Sequence, residues 1–155
     1  MNIKYQRILL FLILNFFALY LGSLTTNMGV TSEWYNSIHK APWTPPGWVF
    51  GAAWTSIMIC FSIYLGLAFG LVKKSKSLII LFTVQWILNV FWNPIFFYYQ
   101  QIEIAMIVII ILTFLVNIIF IKYLKAMKWK SILLLPYCFW MFIASSLNVY
   151  IWINN

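Results

Sequence analysis

Apolar residues run in long blocks along this chain, and short polar stretches separate them. The blocks cover 8–24, 46–72, 78–98, 102–121 and 131–153. A hydrocarbon core about 30 Å thick takes ~20 apolar residues as a helix, so each block is a candidate span. Strands of a membrane barrel would alternate over ~10 residues. Runs such as IAMIVIIILTFLVNIIFI, 104–121, do not alternate. The pattern predicts an all-α integral membrane protein, one domain over 1–155 built as a bundle of five transmembrane helices. The first block follows Lys4 and Arg7, as a secretory signal would. It is long for a signal's apolar region and no A-x-A-like site follows, so it is read as a retained span.

Composition strengthens the membrane reading. Hydrophobic residues make up 65% and charged residues 8% of the chain. Soluble domains average roughly 45–50% apolar and about 25% charged. No single water-facing globule could hide this much apolar surface.

The few charges sort by side. Lys4 and Arg7 precede the first span, Lys73, Lys74 and Lys76 join the second to the third, and Lys122, Lys125, Lys128 and Lys130 join the fourth to the fifth. Five spans put all of these on one side, and Lys40, Glu33 and Glu103 on the other. Basic loops stay in the cytoplasm. The expectation is therefore a multi-pass protein of the cell membrane. Its N-terminus is cytoplasmic, and its C-terminus and the 25–45 loop lie outside. The net charge of +8 then belongs to a membrane edge, where anionic lipid attracts it. It is not a nucleic-acid footprint, which needs a solvated basic face with reading elements.

Several chemistries lack their residues. No Asp, Glu, Lys, Arg or His falls within the spans beyond their edges, and coupled pumps use such groups as relays. With two Cys, one His and two acidic residues, there is no metal-ligand cluster and no conventional catalytic set. Cys60 and Cys138 sit at similar depth, which leaves a disulfide open in principle, and both read first as small apolar residues. No cofactor is required by anything in the pattern.

What the spans do contain is aromatic rings and amides. Trp normally sits at the two interfaces, as Trp34, Trp43, Trp48, Trp129 and Trp152 do. Trp54, Trp86, Trp92 and Trp140 fall deeper. Trp86 and Trp140 are roughly 14 Å in at helical rise. A buried indole N–H needs an acceptor and lipid tails have none, so these rings must face other helices or a cavity. In the third span Gln85, Asn89, Trp92, Asn93 and Phe96 share one helix face. In the fifth, Tyr137, Trp140, Ala144, Leu147 and Asn148 do so, and in the second Trp54, Met58, Phe61 and Leu65. Such faces serve either as interhelical glue or as the wall of a pocket for a flat, apolar, polycyclic guest. Gly66 and Gly70 form a GxxxG, a dimerisation pattern. Pro94 removes a backbone donor near the end of the third span.

With these residues in hand, the chain resembles the TspO/MBR family, the translocator proteins, also called tryptophan-rich sensory proteins or peripheral-type benzodiazepine receptors. The resemblance rests on WYNSIHKAPWTPPGWVFGAAW (34–54), QWILNVFWNPIFF (85–97) and PYCFWMFIASSLNVYIW (136–152). It runs from Trp34 to the end of the chain and is weak over the first span. The family's usual Lys-Pro-x-Trp reads Lys40-Ala41-Pro42-Trp43 here, with the proline one place later. The C-terminal sterol pattern is incomplete, since Tyr150 is followed only by IWINN.

The resemblance implies a five-helix bundle, commonly a homodimer, that binds porphyrins such as protoporphyrin IX and aromatic drug-like molecules. Carried over by motif position, Tyr35 and Pro45 close the top of the pocket. Trp54, Asn89, Trp92, Phe96, Trp140, Ala144 and Leu147 form the site, and the helix-face pattern adds Phe61 and Tyr137 to it. His39 and Lys40 stand where ligand carboxylates would emerge. The expected role is porphyrin sensing, handling or stress response. The alternatives are light-dependent porphyrin breakdown drawing on Trp54 and Trp140, or passive transport of porphyrins or other apolar molecules. The prolines Pro42, Pro45 and Pro46 make the 39–54 stretch a stiff lid, which loses less entropy on closing over a ligand.

Overall fold

The computed structural model describes residues 2–72 and 75–155. Lys73 and Lys74, part of the predicted basic connection, lie outside the described residues. Among the described residues the chain is entirely helical, with connecting turns.

Helix α1 (Ile3–Gly29) is capped by Asn2, whose carboxamide accepts from the Lys4 N–H at 3.1 Å. It runs past the predicted 8–24 at both ends. Hydropathy marks only the stretch that lies in hydrocarbon, whereas the backbone ladder continues wherever local partners allow. A short helix α2 (Glu33–Ser37) follows, capped by Ser32 Oγ, which accepts from the Tyr35 N–H at 3.1 Å. It breaks the predicted outer loop, and Ser32-Glu33 was its sequence signal.

Helix α3 (Gly47–Leu71) begins after Pro46, which is the extended capping residue rather than the first helical one. Helix α4 (Ser75–Asn93) gives way at Pro94 to a π-helical turn, Pro94–Tyr98. There the Tyr99 N–H reaches the Pro94 carbonyl at 2.9 Å. The widened turn is where the proline's missing donor is accommodated. Helix α5 (Ile102–Met127) leads through a 3-10 stretch, Lys128–Leu134, into α6 (Leu135–Asn154).

Among the described residues, four helical stretches are long and apolar enough to cross a membrane: Ile3–Gly29, Gly47–Leu71, Lys76–Tyr98 and Ile102–Asn154. The chain is thus a multi-pass membrane protein. The last stretch has 53 residues and folds back on itself, since Thr113 of α5 and Ser145 of α6 bring their hydroxyls to 2.7 Å. Large apolar side chains cover the outside, as lipid-facing helices require. Leu10, Ile13, Phe17 and Tyr20 of α1 are examples.

The core sits toward the end that carries the lysines. There Met58, Phe61, Tyr64 and Leu65 of α3 pack with Leu112, Val116 and Ile119 of α5 and with Tyr137 and Met141 of α6. Helix α1 docks on α3 at Gly66, where an added Cβ would fall 2.9 Å from the Ile8 Cα. The Arg7 guanidinium lies beside Gly70. The Gly66/Gly70 pair therefore seats α1 of the same chain, and the face that read as a dimerisation motif is already occupied. Asn15 donates to Ser62 at 2.8 Å, and the Trp86 indole donates to the Leu14 carbonyl at 2.9 Å. These bonds satisfy polar groups that lipid would leave unpaired. Cys60 and Cys138 are both free thiols.

Candidate functional site: an aromatic cavity under a pinned strap

At the end away from the lysine-rich turn, the helices enclose a cavity of about 750 Å³. Helix α1 contributes Ala18, Gly22 and Thr26 to its wall, and α3 contributes Phe50, Gly51 and Trp54. Asn89 and Trp92 come from α4, Phe96 and Phe97 from the π turn, and Leu147, Asn148 and Ile151 from α6. The segment between α2 and α3 covers it with Lys40, Thr44 and Pro45, and α2 adds Tyr35.

The π turn shapes one wall. It sets the Phe96 ring flat against Trp92, with centroids 5.2 Å apart and planes at 11°. Phe97 stands edge-on to both. Helix α2 rests on this cluster through Trp34, 5.4 Å from Phe96, and Tyr35, 5.5 Å from Phe97. Offset and edge-to-face pairs of this kind each add about 0.5–1.5 kcal/mol beyond area burial. Asn93 bridges α4 to α1 by accepting from the Thr26 hydroxyl at 2.8 Å. Gly22 makes room for it, since a Cβ there would fall 2.6 Å from Asn93 Nδ2.

The covering strap, 38–46, is pinned at two points, to Asn155 just past the end of α6 and to α6 itself. Asn155 pairs with the His39 backbone both ways, accepting from its N–H at 2.9 Å and donating to its carbonyl at 3.2 Å. The Trp43 indole donates to Ser146 Oγ at 3.1 Å, and its ring meets Tyr150 edge-on at 5.2 Å. Between these points the chain turns tightly, with the Thr44 N–H on the Ala41 carbonyl at 2.9 Å. Pro42 is the second residue of that turn, a position its fixed φ suits. The displaced proline of the Lys-Ala-Pro-Trp sequence thus has a local structural role. Lys40 lies over the Tyr35 ring, its Nζ 4.4 Å from the centroid. It is the only charged residue among the described lining residues. Burial pushes the Tyr35 phenol above its ordinary pKa, so the ring stays neutral.

Seven of the predicted site residues line this cavity: Tyr35, Pro45, Trp54, Asn89, Trp92, Phe96 and Leu147. Lys40 lines it as well. Phe61, Tyr137, Trp140, Ala144 and the His39 side chain do not. Phe61 is fully buried and meets Tyr137 edge-on at 5.3 Å, deeper in the core. Tyr137 holds Gln85, whose amide donates to its hydroxyl at 2.7 Å, and touches the cavity only indirectly, through Trp54 at 5.8 Å. Trp140 packs edge-on against Phe50 at 5.5 Å, and Phe50 lines the cavity in its place. Helical spacing identifies a face but not how far along it the packing is complete, so the inner parts of the predicted faces are core.

Sequence reasoning missed the α1 wall, Phe50 and Gly51 of α3, Phe97 and Ile151. The polar run Gly22-Ser23-Leu24-Thr25-Thr26-Asn27 closing an otherwise apolar helix was the available signal.

Residues 10–153 match the profile of the TspO/MBR family. The chain belongs to that family. The match starts within α1, so the first span is part of the family domain, although its motif resemblance is weak. Among TspO/MBR relatives, the tryptophan-rich protein TspO of Archaeoglobus fulgidus is 37% identical over 136 residues, 86% of this chain and 87% of that protein. Protein CrtK of Rhodobacter capsulatus is 29% identical over 79% of this chain and 78% of its own length. The human translocator protein is 27% identical over 79% and 75%.

Proposed function

We propose that the cavity binds a flat, apolar, polycyclic ligand of the porphyrin class, such as protoporphyrin IX, and that the protein serves porphyrin sensing, handling or stress response. The observation that carries this reading is the stacked Trp92–Phe96 wall, joined by Trp54 in a cavity of about 750 Å³. Ligand pockets typically hold 300–1,000 Å³ and are mostly apolar with a few placed polar groups. Lys40 at the strap supplies a cation for a ligand carboxylate. The names of the relatives, translocator protein and tryptophan-rich protein TspO, are compatible with this use and do not specify the ligand.

The same proposal includes a bundle in which all five long helices cross the cell membrane, with the lysine end in the cytoplasm and the strap outside. Its support is the sequence pattern, in which five spans sort nine of the ten basic residues to one side. A homodimer belongs to it too, formed through a face other than Gly66/Gly70. Titrating purified protein with protoporphyrin IX should quench Trp fluorescence saturably, and Trp54→Phe should weaken the quench. A purely linear, non-saturating response would sink the reading.

Light-dependent oxidative breakdown of the porphyrin is the second reading, and Trp54 favours it because that indole lines the cavity. Trp140 sits behind Phe50 and would act at one remove. Equal bleaching of illuminated porphyrin with and without protein would eliminate this activity.

A further inference from the structure

We infer that the cavity opens sideways into the membrane, through a slot between α1 and α3 in the leaflet on the strap side. Ligands enter and leave by this slot, so they are delivered from lipid rather than end-on from water. This rests on the reading of the cavity as a ligand site.

The walls of the cavity differ in exposure. Asn89 and Phe96 are 8% and 3% exposed, and Leu147 and Ile151 are 6% and 7%, although all four line it. Cavity surface alone therefore leaves a lining residue buried. Along α1 and the start of α3 the lining residues are exposed instead: Asn27 and Val30 on one helix, Gly47, Gly51 and Thr55 on the other. Their exposure comes from outside the bundle.

The packing of the two helices shows that these edges face each other. Helix α1 meets α3 through Ile8 at Gly66 and Asn15 at Ser62, and meets α4 through Leu14 and Phe17 at Trp86. By helical spacing, Leu19, Ser23 and Val30 continue the side that carries Ile8 and Asn15. On α3, Gly51 and Thr55 continue the side that carries Ser62 and Gly66. Phe50 and Trp54 turn the other way, to Trp140 and Tyr137. In the antiparallel register of the Asn15–Ser62 bond, Thr26 comes level with Gly51 and Val30 with Gly47. The two faces that touch at the lysine end thus part at the strap end. A Cβ at either Gly47 or Gly51 would meet nothing within 4 Å, so neither glycine position closes the gap.

The slot lies at lipid depth. Exposed Trp48 marks the interface, and Thr55 is ~12 Å further along α3 than Gly47. Exposed Leu24 and Met28 of α1 and Ile59 of α3 flank the slot with apolar surface. The strap runs directly into Gly47 and frames the slot's upper end, so fixing the strap also fixes the width of the opening.

The test uses the full chain in phosphatidylcholine nanodiscs. The wild type is first given a phosphatidylcholine that carries a pyropheophorbide ring on one acyl chain, which keeps the ring in the leaflet. Part of the resulting Trp quench should be displaced by excess protoporphyrin IX. No displaceable quench, in protein that binds free protoporphyrin IX, would overturn the inference. Stopped-flow binding of protoporphyrin IX, followed at its Soret band, then compares Gly47→Trp and Asn27→Trp, one on each edge of the slot. Phe114→Trp, on an exposed face of α5, is the control. Blocking a passage slows entry and exit together, so kon and koff should both fall by about tenfold in the slot variants and stay within about twofold of wild type in the control. Each slot variant decides alone if the other does not fold, and the lipid-linked probe needs neither. Wild-type rates in a folded slot variant would overturn the inference. So would a raised koff with unchanged kon, which marks a wall contact and not a passage. If the wild type shows no saturable binding of free protoporphyrin IX, the ligand-site reading itself fails.

Discussion

The two ends of this bundle use the same helices in opposite ways. At the lysine end, α1 and α3 touch backbone to backbone at Ile8 and Gly66, and Asn15 and Ser62 lock them one step further along. At the strap end, the continuation of the same two helices borders empty space. A Cβ added to Gly47 or Gly51 would meet nothing within 4 Å, and Gly51 faces the cavity. Glycine is needed at Gly66 because another helix fills its place. At Gly51 the helix tolerates a residue about 1 kcal/mol worse than Ala without any packing reason. Aromatic rings occur at both ends, with Phe61, Tyr64 and Tyr137 in the core and Trp54, Trp92 and Phe96 at the cavity, so their presence alone did not decide which one would be hollow. The difference lies in what crosses between the helices. The lysine end has direct contacts. The strap end has a π turn and a covering segment that span the gap without filling it.

Exchanging the two glycines is the strongest way to break this comparison. Gly66→Leu should lower stability by about 3 kcal/mol through overpacking against Ile8, read as a drop in melting temperature in detergent. Gly51→Leu should leave melting unchanged or slightly raised and should instead weaken protoporphyrin IX binding. Equal thermal effects at the two sites would refute the contrast.

Removing the strap's anchor comes next. Asn155→Ala deletes both bonds to the His39 backbone, each worth about 0.5–1.5 kcal/mol. Release of bound porphyrin should accelerate by about tenfold with little change in melting. Unchanged off-rates in stopped-flow measurements would mean that the strap does not gate the cavity.

The aromatic wall can be sharpened against the aromatic core. Trp54→Phe should weaken binding a few-fold, since one ring contact is worth about 0.5–1.5 kcal/mol. Trp140→Phe should lower melting temperature more than it lowers affinity. The reverse pattern in a fluorescence titration paired with thermal melts would put Trp140 in the site.

The smallest effect concerns the turn between α5 and α6. Lys128 holds φ 52° and ψ −130°, a region that side chains disfavour and glycine tolerates. Lys128→Gly should raise stability by about 1 kcal/mol and leave ligand binding alone. A destabilised variant would show that the Lys128 side chain contributes more than the strain it carries.

Much of this architecture was readable from one chain. Five apolar blocks became five long helices, although α5 and α6 are joined by continuous helical turns from Ile102 to Asn154. The deep indoles did turn inward, as Trp86 on the Leu14 carbonyl illustrates. The amide face of α4 proved to hold both kinds of residue the pattern allowed. Gln85 binds Tyr137 inside the core, while Asn89 opens into the cavity. The two lie on one face a single turn apart, and no periodicity argument separates them. Helix α2 escaped notice because five residues carry too little pattern to register, and only its Ser32 cap announced it.

The sequence by itself determined the solvent, the class and the family. Unbroken apolar blocks require lipid around them, charges sort to the ends because hydrocarbon rejects them, and three aromatic motifs recur in order. Those properties are local, since each depends on a residue and its neighbours along the chain. Only the tertiary structure decided that Gly66 meets Ile8, that Trp140 stands behind Phe50, that Asn155 holds the strap, and that the hollow lies toward Trp54 rather than Phe61. Each of those depends on how surfaces distant in sequence fit together. A helix's periodicity gives the direction of a side chain, but neither its depth in the bundle nor its neighbour.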